Sequence, residues 1–219
     1  MKENFIKYLQ QYFPKFRVVS KDDSIIMKLF DRLLFFNNDF NKFATTIGYT
    51  CYLPKYFIDN YDTLTVIAHE YQHAKDYDKL KLFFSITYLL PQLLFLLVFI
   101  LFPFIKFWAL IFILFILPIP SYGRMKLELK GYIISLFVYT IIYRHLGVEN
   151  ISERQIKLVN DFEKHFTSSA YYFMWPFGVR KQLISAVNSI NSDSILDEAI
   201  FLEVKNALEL TFRNNSSIS

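Results

Sequence analysis

Hydrophobic positions divide this chain into segments of different character. Phe5, Ile6, Leu9 and Phe13 recur at helical spacing before Pro14. Ile25, Ile26, Leu29, Leu33 and Leu34 repeat the pattern from Asp23 to about Phe36, ahead of a polar Asn37-Asn38-Asp39 turn. Residues 42–53 instead collect β-branched and aromatic side chains. They predict one strand, or a bent pair broken at Gly48 and ended by Pro54. A helix is expected over Thr63–Leu80, with Asp62 as its N-cap.

The next block differs from all of these. The 39 positions 82–120 carry a single charge, Lys106. That is too long for one membrane span and suits two: Leu82–Phe102, 21 residues, and the shorter Phe104–Pro118, 15 residues. Pro103 and Lys106 lie near the turn between them, so the block reads as a membrane helical hairpin. Lys75, Lys79 and Lys81 precede it, and Arg124, Lys126 and Lys130 follow, which places both outer ends in the cytoplasm. Beyond it the pattern turns globular again. Ser121–Lys130 leads into an apolar Gly131–Tyr143 helix, too short for a span and suited to a core. Ser152 and Gln155 form a capping-box pattern for a helix to about Phe166. Two further helices are expected over 179–190 and 193–211. The fold class is mainly α with a small β element (α+β). Residues 1–81 and 121–219 form two parts of one domain around the 82–120 hairpin.

Composition narrows the function. Hydrophobic residues make up 53% of the 219, which rules out a disordered chain. The net charge of +4 comes without a Lys/Arg-rich run, so no nucleic-acid partner is expected. Cys51 is the sole cysteine, which excludes an intramolecular disulfide and any zinc site needing two cysteines from this chain. Met1–Ser20 lacks the continuous apolar run of a signal peptide.

Residues 69–73, His69-Glu70-Tyr71-Gln72-His73, form an H-E-x-x-H motif inside the expected helix. Residues four apart share a helix face, so both imidazoles can reach one metal ion. Glu70, one residue round, can act as general base and then as proton donor to a leaving amine. A catalytic zinc takes three protein ligands and keeps an open position. Glu128 is the candidate third ligand. It lies 55 residues after His73, and removing the apolar block leaves a helix–turn–helix interval of 16. Asp76, three residues after His73, is a candidate hydrogen-bond partner for a ligand imidazole.

The order of H-E-x-x-H, apolar hairpin and Arg124-x-x-x-Glu128 on a following helix resembles the gluzincin metallopeptidases. It is particularly similar to the membrane-embedded group of CAAX prenyl proteases and heat-shock membrane proteases. There the third ligand is the Glu of an E-x-x-x-D element; this chain has Tyr132 where that Asp would fall. The resemblance covers roughly residues 63–135. It implies a zincin-like domain with one Zn2+ per chain and a polypeptide substrate. It also implies an edge strand beside the active-site helix, here Thr45, Thr46, Ile47 and Gly48, on which substrate pairs in extended form. A late Tyr or His that stabilises the oxyanion is a further implication, with His165, Tyr171 and Tyr172 as candidates.

These observations converge on a membrane-associated zinc metallopeptidase in contact with lipid, its site facing the cytoplasm. The alternative is a membrane-anchored interaction protein that keeps a zincin-like scaffold without turnover. Binding of metal and dependence on Glu70 separate the two.

Overall fold

The computed structural model describes residues 1–33, 43–57, 59–90, 92–116, 120–167 and 174–216. Helix dominates, with one small three-stranded sheet. Helix α1 (Lys2–Tyr12) ends just before Pro14 and buries Phe5 and Leu9 completely. It packs on the C-terminal helix, which closes the N-terminus onto the end of the described chain.

Strand β1 (Arg17–Ser20) follows, and its pairing is not visible from sequence pattern. It runs parallel to β3 (Thr50–Leu53), with Val18 opposite Cys51. Helix α2 (Ile25–Leu33) lies between β1 and the remaining strands in the chain. Residues 42–53 resolve into the bent pair. β2 (Thr45–Ile47) is antiparallel to β3, and Gly48 turns the chain with φ 63, a conformation that glycine adopts without strain. The sheet order is β1-β3-β2, so β2 ends the sheet among the described residues.

Helix α3 (Tyr61–Leu80) starts two residues earlier than the sequence suggests. The Asn60 side chain caps it, accepting from Thr63 N at 2.9 Å. Asp62 sits in the first turn instead and accepts from Tyr139 Oη at 3.0 Å. Helix α4 (Leu82–Leu89) packs against α3 and against α6 (Tyr122–His145). α6 is one continuous 24-residue helix rather than two segments. Ser121 caps it, accepting from Arg124 N at 3.3 Å. α3 and α6 lie along each other and form the central pair of the core.

Between α4 and α6 the apolar segment continues as a 3-10 turn (Gln92–Leu96), helix α5 (Leu97–Ile105) and a 3-10 stretch (Lys106–Ile116). By length and composition, Leu93–Phe115 is sufficient to cross a membrane once, and little of it is buried. It is not straight, however. Lys106 has φ 47, and Lys106–Ile116 packs back along α5 and the Gln92–Leu96 turn. The chain reverses close to where Pro103 and Lys106 suggest.

Helices α7 (Ile151–Thr167), α8 (Val179–Asn191) and α9 (Ala199–Ser216) complete the domain. Gln155 does not close a capping box. It is fully buried, and its amide nitrogen donates to Thr140 Oγ1 at 3.0 Å and Asn191 Oδ1 at 3.1 Å, tying α7 to α6 and α8. Tyr71, also fully buried, donates to Glu203 at 2.6 Å, and Glu203 pairs with Lys75 at 2.9 Å, so α9 is fastened to α3. Burial and the Glu203 charge push the Tyr71 phenol far above its usual range, which keeps it a donor.

Candidate metal centre

The site forms on the seam between α3 and α6. His69 and His73 stand one turn apart on α3, with their Nε2 atoms 3.1 Å from each other. Glu128 meets them from α6: Oε2 is 3.3 Å from His69 Nε2, and Oε1 is 3.5 Å from His73 Nε2. Glu128 and His73 are both buried. The three residues brought together are those the motif and its spacing suggest.

These distances discriminate between readings. Two ligands on a tetrahedral zinc at about 2.0–2.2 Å stand roughly 3.3–3.6 Å apart. The two imidazole nitrogens are 3.1 Å apart, and each meets a different oxygen of the Glu128 carboxylate, at 3.3 and 3.5 Å, separations close to that value. Hydrogen bonding alone satisfies such an arrangement poorly, because two imidazole nitrogens face each other as well as one carboxylate. The donor set of two His and one Glu is also a known catalytic zinc set. The residues present therefore fit a divalent cation.

Burial alone would lower the His73 imidazole. The Glu128 charge and hydrogen bond, with Glu70 and Asp76 behind them, override it and raise the group to about 9. Burial would raise Glu128, but His73 and His69 hold it well below the usual carboxylate range. A metal ion bound there would have to displace the proton from His73, so its binding would weaken as pH falls.

α6 supplies more than Glu128. Residues 128, 131, 132 and 135 fall on one helix face. At Gly131 a Cβ would sit 2.5 Å from His69 Nε2, so glycine is what leaves room for the ring. Tyr132 stands edge-on to His69 with ring centroids 5.0 Å apart. Ser135 Oγ lies 3.3 Å from His69 Nδ1, where it can accept that N–H and fix Nε2 toward the centre. α4 adds Tyr88, whose hydroxyl donates to Glu128 Oε1 at 2.7 Å. Arg124 Nε in turn donates to Tyr88 O at 3.0 Å.

Sequence reasoning missed Gly131, Ser135 and Tyr88. The helical spacing of 131 and 135 from Glu128 is a signal that could have found the first two. Tyr88 lies in the apolar block, where only its hydroxyl sets it apart.

The other expected residues are placed as follows. Glu70 is buried, and its backbone carbonyl is 3.5 Å from Thr46 Oγ1 on β2. Its carboxylate charge helps raise both His73 and, behind the larger effect of burial, the Cys51 thiol. Thr45, Thr46 and Ile47 form β2 beside this helix, and a Cβ at Gly48 would meet the Tyr77 ring at 3.6 Å.

Asp76 is buried and accepts from Lys130 Nζ at 2.8 Å through Oδ1. Its Oδ2 and His73 Nδ1 are both buried without a partner, so the expected bond between them is not formed. His165 lies one residue removed from the ligands. Its Nδ1 is 2.9 Å from the hydroxyl of Tyr132, which in turn contacts His69. Tyr171 and Tyr172 lie outside the described residues.

Comparison with protein-family models, with curated proteins and with solved structures yields no match to this chain.

Proposed function

We propose that this chain is a membrane-associated zinc metallopeptidase of gluzincin type, with zinc held by His69, His73 and Glu128. One observation carries the reading: two imidazoles and one carboxylate, from two helices, converge at 3.1–3.5 Å, immediately beside a buried glutamate of the H-E-x-x-H motif. A zinc ion held there supplies a polarised carbonyl and a water of lowered pKa.

The remaining work falls to this chain's own groups. Glu70 takes the proton of the attacking water and returns it to the departing amine nitrogen. Its burial limits solvent access to that proton. Ser135 and Tyr88 orient a His and a Glu ligand. β2, at the end of the sheet among the described residues, offers backbone groups to an extended polypeptide beside Glu70. Asp76 Oδ2 and His73 Nδ1 are both buried and unpartnered, which keeps Asp76 the candidate acceptor for the His73 Nδ1–H. The candidates for oxyanion stabilisation are His165, Tyr171 and Tyr172.

The apolar segment seats the enzyme in lipid. Its two outer ends lie on one side, and the basic residues flanking it favour the cytoplasm for that side and for the site. Substrates are then membrane-bound or membrane-proximal polypeptides.

The test is a pair of variants of the full chain in detergent. Glu70→Gln keeps one zinc per chain and loses hydrolysis of an unstructured polypeptide. Glu128→Ala loses zinc. Hydrolysis at wild-type rate in Glu70→Gln would overturn the mechanism, and absence of hydrolysis by the zinc-loaded wild-type chain would favour a non-catalytic scaffold.

A further inference from the structure

The 82–120 segment has lengths that suggest two membrane crossings, yet its geometry is that of something shorter. Its ends are latched to one place on the domain. The Ser121 hydroxyl donates to Leu90 O, Arg124 Nε donates to Tyr88 O, and Trp175 N donates to Ser121 O at 3.4 Å. A single straight crossing would part these ends by a full bilayer, so the chain that leaves at Leu90 must return at Ser121.

Between those points the outgoing arm is Gln92–Leu96 and Leu97–Ile105, five and nine residues. The described part of the returning arm is Lys106–Ile116, eleven residues. At helical rises of about 1.5–2.0 Å these described stretches reach roughly 22–24 Å. The hydrocarbon core is about 30 Å thick, and apolar runs of roughly 10–14 residues are more typical of re-entrant segments than of spans.

The exposed side chains complete the picture. Phe104, Phe107 and Trp108, around the tip, are 79%, 78% and 80% exposed. Where the arms meet the domain, Tyr122, Trp175 and Phe177 are exposed too, and Lys126 Nζ lies over the Tyr122 ring. An apolar tip above an aromatic and basic collar is the profile of an element seated at one membrane interface.

We propose that this hairpin is re-entrant: it dips into the leaflet on the side of the metal centre and returns without reaching the far headgroups. This rests on the membrane reading above and goes beyond it by fixing how deep the chain goes. Among the described residues no carboxylate pairs with Lys106. An ammonium is disfavoured at the bilayer centre, so the hairpin lies tilted, with Lys106 held shallower than the arm length alone would carry it. The root of the hairpin carries Tyr88, which holds Glu128, so the catalytic ligands rest at the depth of that collar.

The test adds the full-length chain to preformed phosphatidylcholine/phosphatidylglycerol vesicles. Lys106→Cys is probed with a membrane-impermeant maleimide, either outside or trapped in the lumen. The fully buried Cys51 stays silent, and exposed Lys157→Cys is the outside reference. Lys106→Cys is expected to be dark from the lumen and about tenfold less labelled from outside than Lys157→Cys. Labelling from the lumen would overturn the re-entrant topology in favour of crossing. External labelling equal to that of Lys157→Cys would overturn insertion altogether.

A second measurement avoids the cysteine variant. Trp175→Phe leaves Trp108 as the one tryptophan. Its emission is expected to be quenched by brominated lipid and untouched by lumenal iodide; quenching by lumenal iodide overturns the proposal. Zinc content, measured on the same samples, reports separately on the peptidase reading.

Discussion

The α3–α6 seam and the 92–116 hairpin break the same rule in opposite directions. Charge belongs outside a protein and large apolar side chains inside. Along the seam, Glu128, Asp76, His73 and Arg124 are buried in the centre of the domain. Along the hairpin, Phe104, Phe107 and Trp108 stand out in the open. Burying carboxylates costs several kcal/mol each unless they are paired, and exposed apolar surface costs about 25 cal/mol per Å² in water. Each anomaly names the partner that would remove it, a cation for the seam and lipid for the hairpin. The two regions meet at Tyr88, which belongs to the root of the hairpin and hydrogen-bonds Glu128.

Variants can separate the two halves, because a change in one should leave the readout of the other in place. The largest effect is expected at Glu70. Glu70→Gln should lower kcat for polypeptide hydrolysis by about 10²–10⁴-fold while zinc content and vesicle binding hold, as read by turnover, elemental analysis and flotation. Glu128→Ala should weaken zinc by more than the roughly 10–100-fold that outer hydrogen-bond partners are worth, as read by competition with a chromophoric chelator.

Gly131→Ala places a methyl group against the His69 ring. It should cost about 1–3 kcal/mol in denaturant unfolding and reduce zinc affinity with no ligand removed. Phe107→Asp should weaken vesicle binding by about 2–3 kcal/mol and leave zinc stoichiometry at one. The smallest effects fall at the supporting hydroxyls. Ser135→Ala and Tyr88→Phe should each lower zinc affinity by about tenfold. Tyr88→Phe sharpens the comparison most, since it touches the centre from the hairpin side. A loss of vesicle binding there, with zinc unchanged, would reverse the assigned role.

Local pattern carried much of this into view before the structure. The four-residue spacing of His69 and His73 needs only a helix to become a ligand pair. Glu128 was found because removing the apolar block leaves an interval that one helical turn-around can span. The break at Gly48 and the reversal near Lys106 were legible because glycine, proline and a lone charge punctuate their segments.

What escaped is non-local. β1 is four residues long and gains its meaning from β3, more than thirty positions away. Gly131 matters because His69 comes from another helix to lie against it, and Ser135 matters for the same reason. Asn60 and Asp62 are both good caps two residues apart, and Tyr139 on α6 claims Asp62. The length of the apolar block suggested two spans, whereas the hydrogen bond between Ser121 and Leu90 that brings its ends to one place joins positions 31 residues apart.

The central claim is that the α3–α6 seam holds one zinc ion. Elemental analysis of the detergent-purified full chain, beside a His69→Ala/His73→Ala variant, tests it most directly. The account predicts about one zinc per wild-type chain and none in the variant. A wild-type chain that holds no zinc after reconstitution with excess metal, or a variant that retains it, would contradict the account.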